Sequence, residues 1–359
     1  MALDRISLAR FRNHADTALE GAAGFNLLVG ANGAGKTNIL EALSLLAPGR
    51  GLRRATLAEM AQVESAGGFA VGASLEYEGE PVRLGTWTDP EPNLRRKVRV
   101  NGAETSAAAL GEWLAMGWLT PAMDGLFMGP AQERRRYLDR LALARDPMHG
   151  THAAAYEKAL RERNRLLADR RDPDGRWFDA IEAQMADHGA RLAHGRQATV
   201  DALMARIVAQ DEAPFPRPAL TYAPGGPVGR DQFAQALHDG RARDRAAQRT
   251  LAGPHRDELE VYYAARRMPA AQCSTGEQKA LLLAMTLAHA AMAAAGRPSV
   301  LLLDEVAAHL DPDRRAALFD RLRAIGTQVW MTGTEIAPFS AIEGTAAVWE
   351  VAAGAARRL

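Results

Sequence analysis

The chain has 359 residues, 47% hydrophobic and 24% charged, with 44 basic against 43 acidic side chains and a formal net charge of +1. At about 150 residues per domain that length suggests about two domains, each large enough for its own core. The apolar content excludes a disordered chain and the single Cys273 excludes a disulfide scaffold, which points to a reducing cytoplasm. With the charge balanced, a polyanion has to be held by local patches. Those patches are made of arginine, because lysine occurs only at 36, 97, 158 and 279.

At the N-terminus Asp4, Arg5, Arg10 and Arg12 interrupt any apolar run, so no export segment is expected. Leu3 to Ala9 alternates like a strand, Phe25 to Val29 reads as a short buried strand and Asn38 to Ala47 as a helix. Three runs, Phe69 to Tyr77, Val82 to Trp87 and Lys97 to Val100, then predict an antiparallel meander.

From about Pro130 to Gln248 the texture is long charged helices, with a strand signal only at Ala219 to Tyr222. Tyr156, Leu160, Arg163 and Leu167 are spaced by 4, 3 and 4 residues, as are Ile181, Met185, His188 and Leu192. The break Arg171-Asp172-Pro173-Asp174-Gly175 suits a turn, so a helical hairpin with arms of about 30 to 50 Å is expected. Acidic residues interleave the Arg161 to Arg171 and Arg241 to Arg249 runs, which therefore read as solvated helix faces. Asp211 to Pro227, rich in Pro and Gly, reads as a linker.

After residue 250 a strand is expected at Leu259 to Tyr263 and a helix from Glu277. The apolar run Ala280 to Ala295 is shorter than the ~20 residues of a membrane span and reads as a buried helix. A strand at Val300 to Leu303, a helix at Pro312 to Ile325 and a strand at Gln328 to Met331 follow. The expected organisation is an α/β domain split around an insert: 1–128, a helical insert at 129–250, and 251–359.

Gly30-Ala31-Asn32-Gly33-Ala34-Gly35-Lys36-Thr37 fits G-x-x-x-x-G-K-[ST] between a predicted strand and helix. Such a loop wraps a β-phosphate in backbone N–H groups, bridges β- and γ-phosphates with Lys36, and offers the Thr37 hydroxyl to Mg²⁺. The run Val300 to Leu303 ends in Asp304 and Glu305, as a buried strand delivering carboxylates to its C-terminal edge would. Asp304 is expected to order the Mg²⁺ shell and Glu305 to act as general base on the attacking water. Nine histidines and one cysteine show no ligand spacing, so no metal beyond nucleotide-bound Mg²⁺ is expected. Arg50, Arg53 and Arg54 in a Gly-rich loop, and Arg95, Arg96, Lys97 and Arg99 further on, are the candidate phosphate contacts for DNA.

Cys273-Ser274-Thr275-Gly276-Glu277-Gln278, upstream of the Asp304 strand, resembles the signature motif of ABC-type ATPases, and His309-Leu310-Asp311 resembles their D-loop. Ser274 also suits a plain helix N-cap with Glu277 as its capping-box partner. Phe11-Arg12-Asn13, Gly49-Arg50-Gly51-Leu52-Arg53-Arg54, Gly129-Pro130 with Arg134 to Asp139, and Gly253-Pro254-His255-Arg256-Asp257 resemble, in order, segments of the RecF family and of SMC-like heads. The resemblance implies an ABC-type P-loop ATPase head, a mixed sheet with an antiparallel β side-layer, carrying an inserted helical domain.

It also implies a cytoplasmic, ATP- and Mg²⁺-dependent, slowly hydrolysing DNA-binding protein that dimerises on ATP at single-strand and double-strand gaps and helps load RecA with RecO and RecR. Ser274, Gly276 and Asp311 would then complete the nucleotide site of a second subunit. Arg12 would lie near the nucleotide if the first strand pairs with Phe25 to Val29; otherwise it is a solvated strand-end charge. An SMC-like chromosome organiser and a transporter's nucleotide-binding subunit are the alternative readings. Where ABC ATPases keep a histidine after the last core strand, this chain has Thr332-Gly333-Thr334.

Overall fold

The computed structural model describes residues 2–62, 67–90, 95–169, 174–210, 214–294, 296–307 and 310–359. The chain opens with β1 (Arg5–Phe11), β2 (His14–Glu20), β3 (Phe25–Val29) and α1 (Lys36–Ser44). A short α2 (Leu57–Met60) leads to β4 (Phe69–Tyr77), β5 (Glu80–Thr88), β6 (Lys97–Val100) and β7 (Ala103–Thr105), then α3 (Leu110–Trp113) and β8 (Ala115–Leu119). Next come α4 (Ala131–Arg145), α5 (Met148–Ala168), α6 (Gly175–Val208), β9 (Pro218–Ala223), α7 (Arg230–Asp239) and α8 (Arg241–Ala246). The last part holds β10 (Glu258–Tyr263), β11 (Met268–Pro269), α9 (Thr275–Ala293), β12 (Ser299–Leu303), α10 (Pro312–Ile325), β13 (Gln328–Gly333), β14 (Ala346–Ala352) and β15 (Ala355–Arg358).

These elements form two compact units: Met1–Asp124 with Asp211–Pro216 and Leu282–Leu359, and Gly125–Gln210 with Arg217–Leu281. The first unit contains two sheets. One is a mixed sheet in the order β15-β14-β3-β13-β12-β8, parallel except for β15. Its inner strands β3, β12 and β13 and its edge strand β8 are buried along their whole length, as apolar runs covered on both faces must be. The other is the antiparallel sheet β2-β1-β4-β5-β6-β7, whose strands alternate buried and exposed residues as a one-sided sheet does. β1 pairs with β2 and β4 and not with β3, so the pairing that would carry Arg12 to the nucleotide loop does not occur. β8, β14 and β15 complete the mixed sheet without having been foreseen, although Val348, Trp349 and Val351 are apolar enough to have shown β14.

In the second unit α5 and α6 form the hairpin; most of its turn, 170–173, lies outside the described residues. The stripe Tyr156, Leu167, Met185 and Leu192 is buried as the spacing predicts. Arg163 corrects the reading of its run as a solvated face. It occupies a position in the apolar stripe, is fully buried, and donates to Glu182 Oε1 at 3.0 Å, Asp244 Oδ2 at 2.7 Å and Thr250 Oγ1 at 2.8 Å. Arg241 likewise turns in, with 24% of its side chain exposed, to grip Glu182 and Asp179. A guanidinium can be buried only when its donors meet acceptors, and two carboxylates on α6 and α8 supply them. Arg163→Ala leaves Asp244 buried without its guanidinium partner and Glu182 with Arg241 alone, so urea unfolding of the full chain should show a loss of roughly 3–5 kcal/mol.

β9 pairs with β10, which pairs with β11, so the segment 217–281 builds a three-stranded sheet inside this second unit. The segment Gly253 to Asp257, for which the sequence offers no chemistry, is the knot of that unit. Buried Asp257 accepts from Arg196 Nη1 and from the Gly225 N–H, both at 2.7 Å, and from the Tyr222 hydroxyl. His255 bonds the Tyr156 hydroxyl through Nδ1 at 2.8 Å and the Thr250 carbonyl through Nε2 at 3.0 Å. Arg134 of the other family-like segment forks onto Glu258 at 2.8 and 2.9 Å, tying α4 to β10. Burial alone would raise the Asp139 carboxyl, but Arg196 and His149 beside it hold it down at about 2.

Candidate functional site

β3 ends where the loop 30–35 begins, and Gly35 caps α1 with φ of 115°, a left-handed conformation that suits glycine. A side chain at Gly35 would also meet His14 Nε2 at 2.7 Å and Asn13 at 2.8 Å, so the tight loop needs glycine on two counts. Lys36 Nζ donates to the carbonyls of Gly30 at 2.7 Å and Ala31 at 2.9 Å. Burial lowers its pKa, and the charges of Glu305 and Asp304 oppose that shift.

The strand order β3-β13-β12 places the C-terminal end of β13 between the nucleotide loop and the acidic pair. There the Thr37 hydroxyl donates to Asp304 Oδ1 at 3.0 Å, and the Thr332 hydroxyl donates to the same oxygen at 2.8 Å. Thr332 Oγ1 also accepts the Glu305 backbone N–H at 2.9 Å, holding Glu305 in a left-handed backbone with φ of 55°. A non-glycine residue in that region stores strain, a pattern found at functional sites. Thr332 is thus the hub joining Asp304 to Glu305, at the strand end where the ABC pattern has its histidine nearby. The Thr37 hydroxyl and the Asp304 carboxylate are hard oxygen donors close together, the donor set that Mg²⁺ prefers.

The segment Arg12 to His14 braces the loop from the other side. Asn13 Nδ2 donates to the Ala34 carbonyl at 3.0 Å, Asn38 Nδ2 donates to Asn13 Oδ1 at 2.7 Å, and His14 Nε2 bonds the Gly35 carbonyl at 3.1 Å. Arg12 forks onto the buried Glu41 of α1 at 2.9 Å through both Nε and Nη2. His14 and Glu41 were not singled out from the sequence, and Asn13 entered only within the family-like segment Phe11-Arg12-Asn13. Their signal was weak, since Glu41 shows only as one acid within an apolar helix.

Among the candidate DNA contacts, Arg50, Arg53, Arg54 and Arg95 are exposed. Arg53 leans on α1, donating to Asn38 Oδ1 at 2.7 Å and Glu41 Oε2 at 3.1 Å. Arg96, expected outside, turns inward: it donates to Thr86 Oγ1 at 2.9 Å, to the carbonyls of Gly49 at 2.5 Å and Ala47 at 3.1 Å, and to that of Leu45. The reason is geometric. A planar guanidinium with five donors closes a loop whose carbonyls have no strand partner.

In the second unit Ser274 closes a capping box with Glu277. The carboxylate accepts from the Ser274 N–H at 2.9 Å, and Ser274 Oγ accepts from the Glu277 N–H at 3.4 Å. Those bonds, with Arg266 alongside, hold the Glu277 pKa below its usual value. Ser274 and Gly276 are exposed, and a Cβ at Gly276 would meet open space. Asp311 caps α10 by accepting the Arg314 N–H at 2.9 Å, while Arg315 ties the carbonyls of Ala307 and Leu310 together at 3.2 and 2.8 Å. His309 lies outside the described residues. Among the described residues no cluster of three His, Cys, Asp or Glu side chains could hold a metal.

A nucleotide loop after one parallel strand, an acidic pair after another and an antiparallel side sheet define an ATPase head of the ABC and SMC type. The family model for the RecF/RecN/SMC N terminal domain matches residues 2–354. The DNA replication and repair protein RecF of Mesorhizobium japonicum is 49% identical, over 96% of this chain and 94% of its own length. A solved recombination mediator protein, RecF-ATP in the RecFOR pathway, superposes with a TM-score of 0.87 at 23% identity, covering 100% of this chain and 97% of that one. The Smc head domain derived from Pyrococcus furiosus, with its extended coiled coil bound to the C-terminal domain of ScpA, aligns less well, at a TM-score of 0.56 and 15% identity. The chain belongs to the RecF family.

Proposed function

We propose that this chain is a slow, DNA-stimulated ATPase of recombinational repair and replication restart. Two copies close around DNA by sandwiching ATP, and RecO and RecR act with it to load RecA. The observation that carries the reading is the triad Thr37, Asp304 and Thr332 with Glu305 bonded behind it. Lys36 and the N–H groups of residues 30–37 bind the phosphates. Thr37 and Asp304 would hold Mg²⁺, which would supply charge neutralisation for the phosphates. Glu305 accepts a proton from the water that attacks the γ-phosphorus.

Ser274 and Gly276 of a second copy offer a hydroxyl and backbone N–H groups to the γ-phosphate, with Asp311 close to the same site. ATP then acts as interfacial glue and hydrolysis as release. The short arms, α5 of 21 and α6 of 34 residues, argue against an SMC-type organiser. The insert at 129–250, over 100 residues long, argues against a transporter's nucleotide-binding subunit, whose helical subdomain is short. The reading is tested by measuring ATP turnover in lipid-free buffer with and without gapped DNA; no stimulation by DNA would contradict it.

Thr332 is a positioning residue in this scheme. Thr332→Val removes a hydrogen bond to a carboxylate, an interaction of about 1.5–3 kcal/mol, so hydrolysis should fall by about 10-fold or more while ATP affinity changes little. Thr332→Ser keeps the hydroxyl and should restore turnover. Single-turnover hydrolysis of both variants is the check.

A further inference from the structure

Beside the arginine loop, the first unit holds a cavity of about 520 Å³, floored by Leu45, Leu57 and Met60 and lined by Arg50, Arg54 and Arg96. Its volume falls within the usual range for sites that take small organic groups. The other lining residues are glycine, alanine and threonine, so three cations line the cavity and no acid does. The nearest carboxylate in sequence, Glu59, is engaged in the capping box of α2, accepting from the Thr56 N–H at 2.7 Å and the Thr56 hydroxyl at 2.9 Å.

Among the described residues Arg96 meets no carboxylate. Its donors reach only carbonyls and one hydroxyl, and burial lowers its pKa to about 10. A buried guanidinium balanced by dipoles alone leaves net positive potential in the space beside it.

An apolar floor with cationic walls suits a ligand that is flat and apolar at one end and anionic at the other. We propose that this cavity receives one unstacked nucleotide of a DNA strand, its base against Leu45, Leu57 and Met60 and its phosphate against Arg50 and Arg54. The assignment rests on the DNA-binding function proposed above and adds to it a seat for a base. Affinity here depends on a base being present and not only on phosphate charge. A double-stranded segment keeps its bases stacked, so the cavity favours the single-stranded part of a gap. A free deoxynucleoside monophosphate shares this chemistry, and the test separates the two sources.

The experiment compares binding of the full chain, with ATP, to two gapped duplexes: one with normal bases in the gap and one with abasic residues there. Burying roughly 60 Å² of a base's apolar face at about 25 cal/mol per Å² amounts to about tenfold in affinity, so the abasic gap should bind about tenfold more weakly. Ala55→Phe, which fills the cavity, should weaken binding to the normal gap by a similar factor and remove the discrimination, with ATP affinity unchanged. Arg50→Ala, on an exposed loop, should lower the salt slope by about one unit and retain the preference for bases.

Equal affinity of the parent chain for both gaps, while DNA is still bound, overturns the cavity assignment and leaves the function standing. Failure to bind either gap overturns both. Displacement of the normal gap by free dAMP at micromolar concentration would assign the cavity to a free nucleotide and overturn the strand assignment.

Discussion

Glu305→Gln should bind ATP as the parent chain does and hydrolyse it about 10²-fold or more slowly, the usual range for loss of a general base. The amide keeps the size of the carboxylate but cannot take the proton from water. The Glu305 N–H to Thr332 and the Thr37–Asp304 contact do not involve the altered atoms, so phosphate and Mg²⁺ binding should survive. The variant should therefore accumulate as an ATP-bound dimer on DNA. Its lifetime is read by chasing free ATP with ADP and following dissociation. Dissociation and turnover equal to those of the parent would remove Glu305 from the base role and turn attention to Asp311.

Lys36→Ala and Ser274→Arg should fail at different stages. Removing Lys36 deletes a side-chain cation that bonds within the nucleotide loop, where charged hydrogen bonds to phosphate are worth about 1.5–3 kcal/mol each, so ATP affinity should drop by about 10²-fold. Ser274→Arg alters an exposed cap in the second unit and leaves residues 30–37 untouched. It should bind ATP normally and remain a monomer, because a bulky cation occupies the place of the hydroxyl that meets the partner's γ-phosphate. Fluorescent ATP titration alongside light scattering separates the two outcomes. Normal ATP-dependent dimerisation of Ser274→Arg would end the sandwich scheme.

The parts of the site that could be read ahead of the structure were the contiguous ones. Residues 30–37 and the pair Asp304 and Glu305 each carry their chemistry within a few positions, with an apolar strand in front that announces where they sit. Thr332 was noticed only as a departure, because its role comes from β13 lying between β3 and β12, and strand order is not a local property. Arg163 was legible and misread. Its place in a 4-3-4 apolar spacing marked it as inward, while the charge composition of its run argued outward, and the buried acids Glu182 and Asp244 decided for the spacing. Arg96 differs, since the carbonyls it closes over, at residues 45, 47 and 49, lie some fifty positions away in the chain.

The expected split of the α/β domain around an insert at 129–250 rested on texture alone. The assignment of β9, β10 and β11 to the second unit depends on their pairing with one another, which the short runs did not reveal.

The central claim is that ATP at this site joins two copies of the chain. It is tested most directly by size-exclusion light scattering of the parent protein with gapped DNA absent, in ADP and in saturating Mg²⁺ATP. The account predicts the mass of one chain, 38.7 kDa, in ADP and twice that in ATP. A single-chain mass at saturating ATP, with nucleotide demonstrably bound, would contradict it.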